Sequence, residues 1–164
     1  MHCYTRDSSE RHTPLVTITR RLEFDAGHRI PHHGNQCRHL HGHRYALEVT
    51  VAGDLVTREG AADQAMVADF SEVKSIAQAT VVALWDHAFL VWKEDRAVVE
   101  FLSTLPDHRT VVFDQPPTAE HLAATALRLL EDAFRQRFAD RLEVIGVRLY
   151  ETPNAWADAA PIRR

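Results

Sequence analysis

The sequence predicts an α+β fold: an antiparallel four-stranded sheet with two main helices on one side, in the order β-β-α-α-β-β. Three observations predict it. Residues 15–28 and 41–52 alternate apolar and polar side chains with period two, as half-buried strands do. Residues 69–84 and 118–138 carry apolar residues at helical spacing behind capping residues. Residues 142–151 (LEVIGVRLYE) read as a last strand, apolar on both faces except at its end.

In LVTITRRLEFDAGH (15–28), Val16, Ile18, Leu22, Phe24 and Ala26 share one face, and His28 stands at its end. In the second strand Tyr45, Leu47, Val49 and Val51 share a face. His41 and His43 extend it backwards, because residues i and i+2 of a strand point the same way. An antiparallel hairpin puts the end of the first strand beside the start of the second, so His28 lies near His41 and His43. The connection, RIPHHGNQCRHL, is long for a hairpin and carries Cys37. Long loops in compact domains are functional or disordered.

Asp69 caps the first helix, with Glu72 as its capping-box partner. The stripe is Val73, Ile76, Ala77, Thr80 and Leu84. Residues 96–103 read as a short helix and 109–113 as a strand. Pro116 and Pro117 precede the second long helix, which Thr118 caps and which runs to Phe138. Its stripe is Leu122, Ala126, Leu129, Leu130 and Ala133. Residues 1–13 read as a flexible tail, 14–164 as a single domain, and 153–164 (PNAWADAAPIRR) as a loosely packed end. The two apolar faces of the last strand imply that a subunit interface covers the sheet's other side.

Composition excludes several function classes. The chain has 164 residues, 45% of them hydrophobic, enough for a real core. A net charge of −4 (19 − 23) gives no electrostatic footprint for nucleic acid or an anionic membrane. No apolar run approaches the ~20 residues that span a bilayer, and the N-terminus lacks a signal-peptide core. Two cysteines and eleven histidines fit a reducing compartment, so a cytoplasmic protein is expected.

CRHLHGHRY (37–45) holds a thiol and three imidazoles. His28, His41 and His43 are the candidate metal ligands. Three neutral imidazoles hold Zn²⁺ and leave a fourth position open, the pattern of a catalytic site. The plainer alternative is a hydrated histidine cluster. Cys37 has three readings: a fourth ligand closing a structural site, a buried inert thiol, or a base or nucleophile activated by nearby positive charge. Its place between the ligand strands favours the last. Asp86 holds His87 in one tautomer, or His87 simply complements a helix C-terminus. Glu151 takes two donors from a guanidine-like ring edge, or is a solvated strand end.

Six stretches occur in order over residues ~15–152: FDAGH (24–28), CRHLHGH (37–43), VADF (67–70), DHAFL (86–90), PTAEHLA (117–123) and VRLYET (147–152). Together they resemble the 6-pyruvoyl-tetrahydropterin synthase / 6-carboxytetrahydropterin synthase family. The resemblance implies the tunnelling fold, in which three subunits join their sheets into a barrel and two trimers stack as a hexamer, with active sites between subunits. It implies a homo-oligomer, zinc on His28, His41 and His43, and Cys37 as the catalytic thiol. Asp86 and His87 are then its relay partners from a neighbouring subunit. Glu151 anchors the pterin's pyrimidine edge, with Thr118 and Glu120 near the pterin pocket. The implied substrate is 7,8-dihydroneopterin triphosphate.

The short Cys-x-x-x-His-x-His loop looks like that of the carboxy enzyme of queuosine and 7-deazaguanine synthesis, a zinc-dependent lyase. The pyruvoyl enzyme is the alternative. A folate-bypass branch usually has glutamate in the thiol's place, and Cys37 argues against it. The 91–108 insertion belongs to no one branch. From other classes, a non-catalytic zinc-binding module and a cyclohydrolase-like nucleotide enzyme share the fold-level prior, since fold alone does not fix function.

Overall fold

The computed structural model describes residues 15–162. The tail expected over residues 1–13, and Cys3 with it, lies outside the described residues. Strand β1 (Thr17–His28) pairs antiparallel with β2 (His41–Gly53), with Phe24 opposite Tyr45 and His28 opposite His41. The expected hairpin is therefore present, and it sets the end of the first strand beside the start of the second. The alternation holds too: Leu22, Phe24, Ala26 and His28 are buried, and the residues between them are exposed or half-buried.

The sheet is larger than expected and mixed. It has six strands in the order β4-β3-β1-β2-β5-β6. Strand β3 (Ala88–Trp92) runs parallel to β1, and β4 (Thr110–Phe113) parallel to β3. Strand β5 (Leu142–Thr152) and β6 (Ala155–Ala159) continue the antiparallel half beyond β2. The four-stranded, wholly antiparallel expectation is corrected at both edges. AFLVW is a short apolar run directly after Asp86 and His87, and it pairs because the helical segment 70–85 crosses from β2 back to the free edge of β1. AWADA, expected to be loosely packed, returns against β5 through a tight turn.

Helix α1 (Phe70–Ala77) passes through a π-helical turn (Gln78–Val82) into α2 (Ala83–Trp85). The Asp69 carboxylate caps α1 by accepting from the Ser71 N–H at 2.6 Å. Glu72 does not complete a capping box; its carboxylate pairs with Arg137 at 2.8 Å. The π turn inserts a residue and rotates the apolar stripe. Val81, Val82 and Trp85 are buried instead of Thr80 and Leu84, and Leu84 is exposed. Helix α3 (Arg96–Ser103) packs Val98 and Leu102 against Val91 of β3 in a separate small cluster. Helix α4 (Ala119–Phe138) begins at its Thr118 cap, as expected, and buries Leu122, Ala126, Leu130 and Phe134.

Helices α1 and α4 share one face of the sheet, where Leu47, Val49, Val51, Val147 and Leu149 form the core with them. Each such side chain contributes about 1.5–3 kcal/mol on burial. The opposite face of β5 is not apolar. Arg148 forms a two-pronged pair with Asp158 at 2.6 and 2.9 Å and lies over the rings of Trp156 and Tyr150. That network lies on the outer face of the strand, so the face expected to be apolar is polar at Arg148.

Candidate metal centre and its surroundings

The register of β1 and β2 decides the site. His28 is opposite His41 and Ala26 is opposite His43, so the three imidazoles emerge on the helix-facing side at one end of the sheet. Ring centroids lie 4.5 Å (His28–His41), 5.1 Å (His28–His43) and 4.8 Å (His41–His43) apart. One ring nitrogen from each lies within 4.8 Å of the other two.

Backbone carbonyls fix two tautomers. His28 Nδ1 lies 2.9 Å from the Pro117 carbonyl oxygen, and His41 Nδ1 lies 2.7 Å from that of His39. A carbonyl only accepts, so both Nδ1 atoms donate and both Nε2 atoms keep lone pairs in the neutral ring. Those two Nε2 atoms face each other at 3.0 Å. His43 Nε2 is buried without a hydrogen-bond partner. Burial pushes the His28 and His43 imidazoles below their ordinary pKa, which keeps them neutral. Neutral rings, inward lone pairs and outer nitrogens held by carbonyls are what a divalent ion requires of a histidine set. The residues fit the metal.

Glu151 borders this cluster. Its Oε1 lies 3.4 Å from His28 Nε2 and 3.9 Å from His43 Nε2. The β5–β6 register steps between Tyr150 and Thr152, at Glu151 itself. Such irregularities re-aim a side chain at a sheet's end. Tyr45 walls the other side of the cluster. Its ring centre is 6.0 Å from that of His28 and 5.7 Å from that of His43, and its hydroxyl is buried without a partner. Burial, then the Glu151 and Cys37 charges, raise its pKa and keep the phenol neutral.

Cys37 sits in a 3₁₀ turn (Gln36–Arg38) and is half-buried. Its carbonyl accepts from the Ile30 N–H at 2.7 Å. The three-histidine cluster contains no sulfur. Asp86 and His87 belong to a second cluster with Asp25. Asp86 Oδ1 accepts from His87 Nδ1 at 2.9 Å and from the Asp25 N–H at 3.0 Å. These two donors, the Asp25 amide first, hold the Asp86 pKa below the usual carboxylate range. His87, at φ 56°, turns out of the helix end and donates its own N–H to the Asp25 carbonyl at 2.7 Å. Beside it runs an open groove of about 540 Å³, lined by Asp25, Gly27, Gly42, His43, His87, Phe89 and His108 among others.

The model of one protein family, 6-pyruvoyl tetrahydropterin synthase, matches residues 17–161. The chain belongs to this family. It is 34% identical over 145 residues to a 6-carboxy-5,6,7,8-tetrahydropterin synthase of Rickettsia bellii, covering 88% of this chain and 99% of that one. It is 31% identical over 146 residues to the enzyme of the same name from Haemophilus influenzae, covering 88% and 98%. In fold it matches an uncharacterized protein from Wolinella succinogenes, with TM-score 0.73 and 20% identity over 90% of this chain and 99% of that one. It also matches a catalytic-residue variant of Plasmodium vivax 6-pyruvoyltetrahydropterin synthase, with TM-score 0.67 and 18% identity over 89% and 97%.

Against the site expected from the resemblance to the pyruvoyl tetrahydropterin synthase family, the chain places residues unevenly. His28, His41, His43 and Glu151 converge. Asp86 and His87 bond each other but form a cluster apart from the three histidines. Thr118 spends its hydroxyl on capping α4, accepting from the His121 N–H at 3.2 Å. Its neighbour Pro117 is what touches the cluster, through the carbonyl that orients His28. Glu120 is exposed at the first turn of α4. Sequence reasoning missed Pro117 and Tyr45. The i+2 spacing from His43 already placed Tyr45 on the ligand face. No sequence signal marks a backbone carbonyl as an imidazole's partner.

Proposed function

We propose that this chain is a zinc-dependent lyase. It converts 7,8-dihydroneopterin triphosphate, with one water, to 6-carboxy-5,6,7,8-tetrahydropterin, acetaldehyde and triphosphate, a step of queuosine and 7-deazaguanine synthesis. The observation that carries the reading is the pair of inward-facing Nε2 lone pairs of His28 and His41, joined by the orphaned Nε2 of His43. The names of the relatives at 31–34% identity support the carboxy product over the pyruvoyl one.

His28, His41 and His43 hold the ion. Bound zinc supplies Lewis-acid polarisation of the substrate's side-chain oxygens. Cys37, acting as a base, takes a proton from a side-chain carbon and delivers it to the pterin ring. His87 moves the second proton at Nε2, its Nδ1–H held by Asp86. Glu151 accepts two N–H donors from the pterin's pyrimidine edge. Thr118 and Glu120, at the start of α4, border the pterin. The separation of the Asp86–His87 pair from the histidines supports an active site completed between subunits of a trimer or hexamer.

Mass analysis of the products from dihydroneopterin triphosphate tests this. The carboxy product with one acetaldehyde per triphosphate is expected. Triphosphate without acetaldehyde selects the pyruvoyl reaction. No turnover by the zinc-loaded protein overturns the enzyme reading in favour of a zinc-binding module.

A further inference from the structure

Among the described residues two polar side chains are buried: His28, 0% exposed, and Asp95, 6% exposed. A single residue joins them. Arg29 follows His28 in the chain and grips the Asp95 carboxylate with two prongs, Nε to Oδ2 at 2.6 Å and Nη2 to Oδ1 at 2.8 Å. Asp95 occupies the N-cap position of α3, where a carboxylate ordinarily accepts from its own helix's N–H groups. It makes no such bond. Both oxygens are turned away from α3 and onto the end of β1.

A second contact lies beside the first. Trp92, at the end of β3, donates its indole N–H to the Asp114 carbonyl at 3.1 Å and sets its ring edge-on to His32, centroids 5.7 Å apart. Between these anchors the Ile30 N–H donates to the Cys37 carbonyl at 2.7 Å, which closes the loop into a ring based on Arg29. Within the loop the other bonds are local: the His33 N–H donates to the Ile30 carbonyl at 3.0 Å, the Asn35 N–H to His33 Nδ1 at 3.1 Å, and a 3₁₀ turn follows, while His41 Nδ1 ties the His39 carbonyl to the start of β2.

We propose that α3 and the turn before it brace the loop that carries Cys37, and that Asp95 is a positioning residue acting through Arg29. This gives the 91–108 insertion a role in the site and rests on the reading of Cys37 as the reacting thiol. A guanidinium fork fixes both position and orientation, which a lysine point charge does not. With the fork in place, the backbone on both sides of His28 and at the base of the Cys37 loop is set before substrate arrives. Without it, the metal ligands stay on their strands while the thiol drifts.

The test uses the zinc-loaded full chain in a Cys3→Ser background, so that alkylation reports on Cys37. Asp95→Asn is expected to speed iodoacetamide alkylation about fivefold as the half-buried thiol is released. It is expected to lower kcat about tenfold, with KM changed less than twofold and metal content unchanged. Arg29→Lys, which keeps the charge, is expected to move both rates in the same direction by less, and it replaces Asp95→Asn should that variant fail to fold. A lower melting temperature with parental alkylation rate overturns the proposal and leaves the pair purely structural. Alkylation needs no pterin. A faster alkylation rate in a protein that turns over no pterin therefore supports the brace while refuting the lyase reading.

Discussion

His28 and His41 face each other across β1 and β2 with their Nε2 atoms 3.0 Å apart, and each outer Nδ1 is held by a backbone carbonyl. Two lone pairs at that distance do not form a hydrogen bond with each other. The pair is set to share a cation or a proton between them. The arrangement is enforced by strand register on one side and by Pro117 and His39 on the other, so it does not depend on rotamer freedom.

His28→Ala is therefore expected to abolish metal retention, from about one ion per chain to under a tenth. It also leaves the Pro117 carbonyl without its donor, a cost of about 1–3 kcal/mol. The variant should melt at lower temperature. Elemental analysis of the purified protein measures the first effect. Full zinc occupancy in the variant removes His28 from the ligand set.

Much of this was legible because pleat and pairing are local rules. Period-two alternation in 15–28 and 41–52 placed Phe24, Tyr45 and the three histidines on one face, and the hairpin placed them at one end. What escaped were features set by long-range pairing. AFLVW is short enough to read as a helix end until β1's free edge is known to need a partner. Trp156 and Asp158 look like a polar tail until Arg148 is seen between them. The π turn is invisible in the spacing; it accompanies the burial of Trp85 beside Phe24 and Phe113, with ring centres 6.1 and 5.7 Å away. Glu151's approach to the imidazoles depends on a register step, which no single-strand pattern reveals.

Cys37→Ala separates the thiol's two chemical possibilities. The histidine cluster contains no sulfur, so the variant is expected to bind zinc with unchanged stoichiometry. Turnover of dihydroneopterin triphosphate should fall by about 10²–10⁴, the range for removing a positioned proton-transfer group. Loss of zinc together with the thiol would instead mark a closed structural site. Metal content and initial rate on the same preparation decide between them.

Glu151→Gln preserves shape and removes charge. Hydrogen bonds to a charged acceptor are worth about 1.5–3 kcal/mol, so pterin affinity should drop about ten- to a hundredfold. Zinc content should change little, because the three imidazoles do not need the carboxylate to face inward. Titration calorimetry with a non-reacting pterin measures the affinity. Unchanged binding takes Glu151 out of the pterin site and leaves it as a neighbour of the metal.

Asp86 supplies the pH-dependent prediction. The Asp25 amide and His87 Nδ1–H both donate to its carboxylate and depress its pKa in the folded state. A depressed folded pKa gives a contribution that is fully present above the unfolded value, about 3.9. It is lost as pH falls through the lower folded value. The Asp25–Asp86–His87 junction should therefore stay intact from neutral pH down to about pH 4 and open only below it. Its share of global stability is small, under about 1 kcal/mol, because the Asp86 side chain is 37% exposed to solvent. In an Asp25→Asn background, which removes the carboxyl that residue 25 would itself titrate, the backbone amide resonance of position 25, followed by NMR across an acid titration, should show an inflection below about pH 4 that disappears when Asp86→Asn is added. Asparagine keeps the acceptor oxygen but not the charge, so Asp86→Asn alone should keep its metal and lose about tenfold or more in kcat. An inflection that persists in the double variant would mean that a group other than Asp86 titrates there. It would leave His87 without the partner that orients it.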